Sequence, residues 1–294
     1  MGSIFEPYVN STNRKYLAVR DDPRFHEQKS YLESLWSVFE PYADPDFRTE
    51  LASQFHPRFW EMYLGCSLLE MGFVLIPKNN SFGPDFQTSI NEQKVWIEAA
   101  APDSGTGPDS VPSYNFDVVL PVPEEKIILR LTNIIDKKLQ AFKEYRKNNV
   151  VSEDDAYVIA INGWDIPHAY TEDEIPYIVK AVLPIGNLTV TIDINKMEAI
   201  NQYYKFRGDI KKKSGSLVPT RAFQDTSFSV ISGIIYSHTD LWNLPAYLGR
   251  DFQFVHNPLA LHTLEKGWLP RSRSIWVEGD KLRFEEGEAY EFRT

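Results

Sequence analysis

The sequence predicts an α/β (α+β) protein whose core, residues 57–164, runs helix, three strands, helix, strand. Three observations predict it. FWEMYLGCSLLEMG (59–72) follows Pro57 and is apolar on nearly every side, which marks a buried helix that Gly72 closes. Three short strand candidates then follow, Phe73–Ile76, Gly83–Ser89 and Lys94–Ala101, separated by the turn-forming runs Lys78-Asn79-Asn80-Ser81 and Asn91-Glu92-Gln93. Finally, 123–147 carries apolar residues at helical spacing and precedes a continuous apolar run at 156–161 that ends at Asn162-Gly163.

The flanks are read more coarsely. Residues 1–56 form an N-terminal helical extension, because Tyr31, Leu32, Leu35, Trp36 and Phe39 recur at helical spacing before Pro41 and Pro45 interrupt. Residues 165–294 read as α+β additions packed on the core. Within them Ile178–Val182, Leu188–Ile194 and Phe228–Tyr236 are expected as strands or strand–helix pieces. IWVEGDKLRFEEGEAYEF (275–292) is expected as a hairpin turning at Glu278-Gly279-Asp280. Residues 102–123 are rich in Pro, Gly, Ser and Asp and predict a long loop directly after the third strand. A loop of that length in a compact domain usually serves a site.

Composition narrows the function classes. A 43% apolar, 24% charged chain is an ordinary globular one, and no apolar run approaches the ~20 residues of a membrane span. The N-terminus shows neither a basic n-region nor an apolar h-region, so a cytoplasmic protein is expected. Cys66 is the sole cysteine, which excludes an internal disulfide or a cysteine-based zinc cluster, and its apolar helix predicts an inert thiol. The six histidines have no metalloprotease spacing, and neither a nucleophile elbow nor a P-loop occurs. His256 and His262 in FVHNPLALHTL suit either a structural or a site-lining role. The net charge of −10 is not that of a typical nucleic-acid binder. Two basic stretches stand out against it: seven Lys/Arg against four acids in 124–147, and Lys205, Arg207 and Lys211-Lys212-Lys213. Both equally suit solvated faces.

Three acids fall where a site is expected. Glu98, in VWIEAAAP, has only apolar neighbours for three residues on either side, a position that favours chemistry or a buried ion pair. Glu61 points from the apolar helix toward a packed face, where burial costs several kcal/mol unless a cation or metal pairs with it. A solvated or dipole-favoured first-turn acid is the plain alternative. Asp85 lies in Gly83-Pro84-Asp85-Phe86. Pro-Asp occurs four times in the chain, so only its place ahead of the Glu98 strand distinguishes it.

This arrangement resembles the PD-(D/E)XK nuclease superfamily, whose restriction-endonuclease-like αβββαβ core has a mixed central sheet. The family places an aspartate on one strand and a (D/E)-X-K triplet on the next, often with a glutamate from the preceding helix. Asp85, Glu98 and Glu61 match those roles, with twelve residues between Asp85 and Glu98. The resemblance covers about a third of the chain and implies a Mg²⁺-dependent (or Mn²⁺-dependent) nuclease acting on nucleic acid, DNA in the first instance. Asp85, Glu98 and Glu61 would be the metal ligands, since converging carboxylates supply the hard oxygens Mg²⁺ requires. A catalytically silent member that binds nucleic acid or protein is the alternative.

The triplet departs from the pattern, reading Glu98-Ala99-Ala100, so the amine expected two residues after Glu98 is missing. Residues two apart on a strand share a face, so another element must supply the cation. Lys138 falls on the apolar stripe of the 123–147 helix, and the superfamily is known to relocate its lysine to this helix. Snorkelling to water is the alternative for Lys138. Lys94 and Lys78 are weaker substitutes. Arg130 and Lys137 are the candidate phosphate contacts, with solvation of the helix face the alternative for Arg130.

Overall fold

The computed structural model describes residues 2–77, 82–115, 117, 118, 120–172 and 174–287. Six α-helices, α1 (Arg14–Asp21), α2 (His26–Phe39), α3 (Phe47–Ser53), α4 (Phe55–Glu70), α5 (Glu124–Lys147) and α6 (Tyr177–Val182), surround a seven-stranded mixed sheet. Its strands, in spatial order, are β1 (Phe86–Ile90), β2 (Gln93–Ala100), β3 (Ala156–Asn162), β8 (Gly233–Ser237), β9 (Gln253–His256), β10 (Arg273–Glu278) and β11 (Lys281–Glu285). The insertion between α6 and β8 forms two separate ribbons, β4 (Ile185–Asp193) with β5 (Glu198–Phe206), and β6 (Asp209–Lys211) with β7 (Leu217–Pro219). No helix among the described residues is long and apolar enough to cross a membrane.

Two apolar layers explain the alternation along the central strands. Val95, Ile97, Ala156, Val158 and Ala160 pack against α1–α4, whereas Ala100, Tyr157, Ile159 and Ile161 face α5 and α6. β3 is buried along its whole length, as a parallel strand between two helical layers must be. It pairs parallel with β2 and with β8, and α5 is the crossover from β2 to β3. α4 ends as its sequence predicts. Gly72 adopts φ +91°, which lets the Phe73 amide donate back to the Leu68 carbonyl at 3.0 Å.

One sequence expectation is overturned and two are refined. Phe73–Ile76 forms no strand; it lies beside β1, with the Ile76 amide on the Gln87 carbonyl, the Thr88 hydroxyl on the Val74 carbonyl and Leu75 buried in the core. A short apolar run next to a sheet edge reads as a strand in sequence, because periodicity over four residues cannot separate the two. Ile178–Val182 belongs to helix α6, since a fully apolar run carries no period at all. Leu188–Ile194 does form a strand, β4, but in a ribbon apart from the main sheet, with Leu188, Val190 and Ile192 exposed. Residues 165–294 also supply four of the seven sheet strands, continuing the sheet that β1–β3 begin. The tail hairpin turns at Gly279-Asp280 between Glu278 and Lys281, with Gly279 at φ +63°; residues 288–294 lie outside the described residues.

The sheet also buries a polar cluster beyond β8. Glu172 accepts from the Tyr177 amide at 2.9 Å and lies 3.9 Å from His238, whose ring meets the Tyr236 hydroxyl at 2.8 Å. Burial pushes the Glu172 carboxyl up to about 7, against the lowering effect of its hydrogen bonds. The folded state therefore holds this proton more tightly than the unfolded one. The contribution to stability is complete below the unfolded carboxyl range near 4.5 and is lost as pH rises through 7. Glu172→Gln keeps an uncharged acceptor. Relative to wild type it is expected to gain up to about 3 kcal/mol between pH 4.5 and 8, measured as unfolding free energy against pH. A pH-independent difference would contradict this assignment.

Candidate active site

Glu98 sits on the α5-facing side of β2, the same side as Trp96 and Ala100. It is only 5% exposed. Its neutralising partner comes from α5: Lys138 Nζ lies 2.5 Å from Glu98 Oε1. Tyr145, two turns further along the same helix face, donates its hydroxyl to Glu98 at 3.3–3.4 Å. Burial, then the charges of Glu98 and Asp85, push the Tyr145 phenol well above its usual range, so it stays a hydrogen donor. Lys138 and Ala100 line the same cleft as Glu98.

Asp85 immediately precedes β1. The β1–β2 register pairs Phe86 with Ile97, and its extension by one residue sets Asp85 opposite Glu98. Directly opposed residues hold their Cβ atoms about 4.5–5.5 Å apart. Asp85 Oδ2 accepts the Ala99 backbone N–H at 2.6 Å, which fixes this carboxylate beside Glu98. Glu61 arrives from the other helical layer, on the second turn of α4, and is 4% exposed. Arg58, one turn earlier, donates to Glu61 and also pairs with Glu50. Burial opposes the Arg58 charge, but Glu61 and Glu50 outweigh it and hold the guanidinium more firmly protonated than usual. Glu61, Asp85, Glu98 and Lys138 thus line one open cleft of about 440 Å³, together with Arg58 and Tyr145.

The remaining candidates lie elsewhere. Arg130 donates to the Asp103 carbonyl at 2.9 Å and to its carboxylate at 3.1 Å, which ties the start of the 102–123 loop to α5. Lys137 is exposed on α5 and does not line the cleft. Lys94 turns to Asp155 at 3.8 Å, away from Glu98, and Lys78 lies outside the described residues. Cys66 is buried, its thiol pushed up to about 12 by burial, as an inert thiol should be. Asn257 of FVHNPLALHTL is structural: its amide donates to the Phe228 and Ile231 carbonyls. Asp44, Gln54, Arg58 and Tyr145 are polar cleft residues that sequence reasoning did not assign. The i, i+3 spacing to Glu61 carried the signal for Arg58. Tyr145 was visible only as a member of an apolar stripe.

Among the described residues no three His, Cys, Asp or Glu side chains are grouped to enclose one metal ion. Mg²⁺ does not require such a cage. It keeps several waters and is typically held by one or two carboxylates plus substrate phosphates. Asp85 and Glu98, two hard-oxygen donors set opposite each other at the mouth of a cleft, fit that requirement. Glu61 lines the same cleft and is paired with Arg58, as Glu98 is with Lys138. No protein-family model, curated protein or solved structure matches the chain.

Proposed function

We propose that the protein is a PD-(D/E)XK-type, Mg²⁺-dependent phosphodiesterase acting on nucleic acid, with Asp85 and Glu98 as metal ligands and Lys138 as the relocated lysine. The observation that carries the reading is the 2.5 Å contact from Lys138 to Glu98 across Ala100, the one position where the sequence departs from the family pattern. A core ion pair alone would have no need to line an open cleft with a second carboxylate opposite. Bound Mg²⁺ would polarise the scissile phosphate and lower the pKa of an attacking water. The chain's own groups then have distinct tasks. Asp85, anchored by the Ala99 amide, is preorganised as a ligand. Lys138 orients a water beside Glu98 and offsets the charge that develops on the phosphate oxygens. Tyr145 holds Glu98 in place through its hydroxyl, and Arg58 pairs with Glu61 at the cleft wall.

The test is incubation of purified protein with supercoiled plasmid, linear duplex and single-stranded RNA in Mg²⁺ or Mn²⁺. Cleavage of at least one, abolished by EDTA, is expected. Binding without any cleavage under these conditions would favour the silent alternative, which the full neutralisation of Glu61 and Glu98 by Arg58 and Lys138 suits.

A further inference from the structure

The fold brings the two basic stretches of the sequence together. At the N-terminal end of α5 lies a second, larger cleft of about 810 Å³, separate from the one at Glu98. One wall is the start of α5 with Lys126; the other is the insertion, with Arg207 after β5 and Lys211, Lys212 and Lys213 at the β6–β7 turn. Five cationic side chains line it against three carboxylates, in a chain whose net charge is −10. Of those carboxylates Glu124 is neutralised twice over, by Lys180 at 2.7 Å and by Arg207 at 2.8 Å. Asp109 accepts the Lys213 backbone N–H at 2.9 Å.

The lysines are presented by an ordered turn. Lys212 N–H donates to the Ser216 carbonyl at 2.8 Å, Gly215 N–H returns to Lys212, and Gly215 takes φ +91°, which the tight turn demands. The bond from Lys213 to Asp109 docks this turn on the 102–123 loop, and Lys126 Nζ reaches the Ser110 carbonyl of the same loop. That loop begins at the Glu98 cleft, where Pro102 is part of the wall, and ends at this one, where Val122 and Pro123 are. The two clefts therefore share α5 and one loop. Lys126 and Lys138 are separated by about 18 Å along the helix axis at 1.5 Å per residue.

We propose that this cleft is a second binding site for the sugar–phosphate backbone of nucleic acid, gripping phosphates away from the scissile bond. The proposal takes its ligand class from the function proposed above. Its chemistry is the cleft's own: several flexible ammonium groups and one guanidinium bind a polyanion by neutralising phosphates and releasing counterions, without reading bases. It would also let an acidic protein hold nucleic acid, since the positive charge is concentrated where the strand lies.

The test is fluorescence anisotropy with a labelled 20-nucleotide single strand and a 20-base-pair duplex, in EDTA, from 50 to 200 mM salt. EDTA separates this proposal from the cleavage reading, because binding is scored whether or not the protein cuts. The triple variant Lys211→Gln/Lys212→Gln/Lys213→Gln, altered only at exposed positions, should melt with wild type. It should bind at least ~10-fold more weakly at 50 mM salt, and its log–log salt slope should be shallower by about 2–3. Lys212→Glu alone should show the same direction, should the triple variant fold poorly. Unchanged affinity and slope in either variant would overturn the proposal. So would binding of inorganic tripolyphosphate with no measurable affinity for either oligonucleotide.

Discussion

Asp85→Ala and Glu98→Ala are each expected to reduce Mg²⁺-dependent cleavage of nucleic acid by about 10³-fold or more, the equivalent of several kcal/mol of lost charge stabilisation at the phosphate. The expectation follows from placement. Asp85 lies opposite Glu98 and is fixed there by the Ala99 amide. Glu98 is the only acid within a seven-residue apolar segment of β2. The two variants should differ in stability. Glu98→Ala leaves the Lys138 ammonium and the Tyr145 hydroxyl without their shared acceptor, whereas Asp85→Ala takes away the acceptor of the Ala99 amide at a strand end. Comparing rates at temperatures well below both melting points isolates chemistry from folding. Cleavage that survives both substitutions would place the active centre elsewhere.

The second large effect is on folding. Trp60 on α4 is fully buried, donates its indole N–H to the Ala160 carbonyl at 3.1 Å, and packs edge-on against Phe252 with ring centroids 5.7 Å apart. It is the bolt that seats α4 on the sheet, and α4 carries Arg58 and Glu61 into the cleft. Trp60→Ala removes the largest side chain of this layer and opens a cavity. The expected cost is about 3–5 kcal/mol, read as a lower denaturant midpoint with an unchanged slope. Trp60→Phe keeps most of the packing but drops the N–H donor, and should cost about 1–3 kcal/mol. A loss below about 1 kcal/mol for Trp60→Ala would mean that α4 is not anchored through this residue.

What the sequence revealed depended on the length and purity of each signal. α4, α5 and β3 were legible because long periodic or uniformly apolar segments admit one reading, and Gly72 punctuates the first of them. Glu98 stood out because a carboxylate in an apolar strand is costly unless it is partnered. Lys138 was found by combining that cost with the empty position at Ala100. The short runs failed. Phe73–Ile76 and Ile178–Val182 are too brief for periodicity to separate strand, helix and packed loop, and their states follow from what the sheet and α5 leave available. The continuation of the sheet through β8 to β11 was likewise hidden, because strand order depends on long-range pairing that no local pattern encodes. The pairing of Arg130 with Asp103, twenty-seven residues earlier, was hidden as well, because no local pattern links the two.

The role proposed for the amine of Lys138 beside Glu98 is tested directly by a paired substitution. Lys138→Ala should slow cleavage by about 10²–10³-fold, the usual cost of removing one group that stabilises developing charge, while Mn²⁺ affinity stays within a few-fold of wild type. Adding Ala100→Lys restores the family triplet on the face of β2 that Glu98 occupies. In the Lys138→Ala background this second change is predicted to recover at least about tenfold of the lost rate, with Asp85 still required. Full activity in Lys138→Ala alone would contradict the account, because the amine beside Glu98 would then be a packing feature and not part of the chemistry.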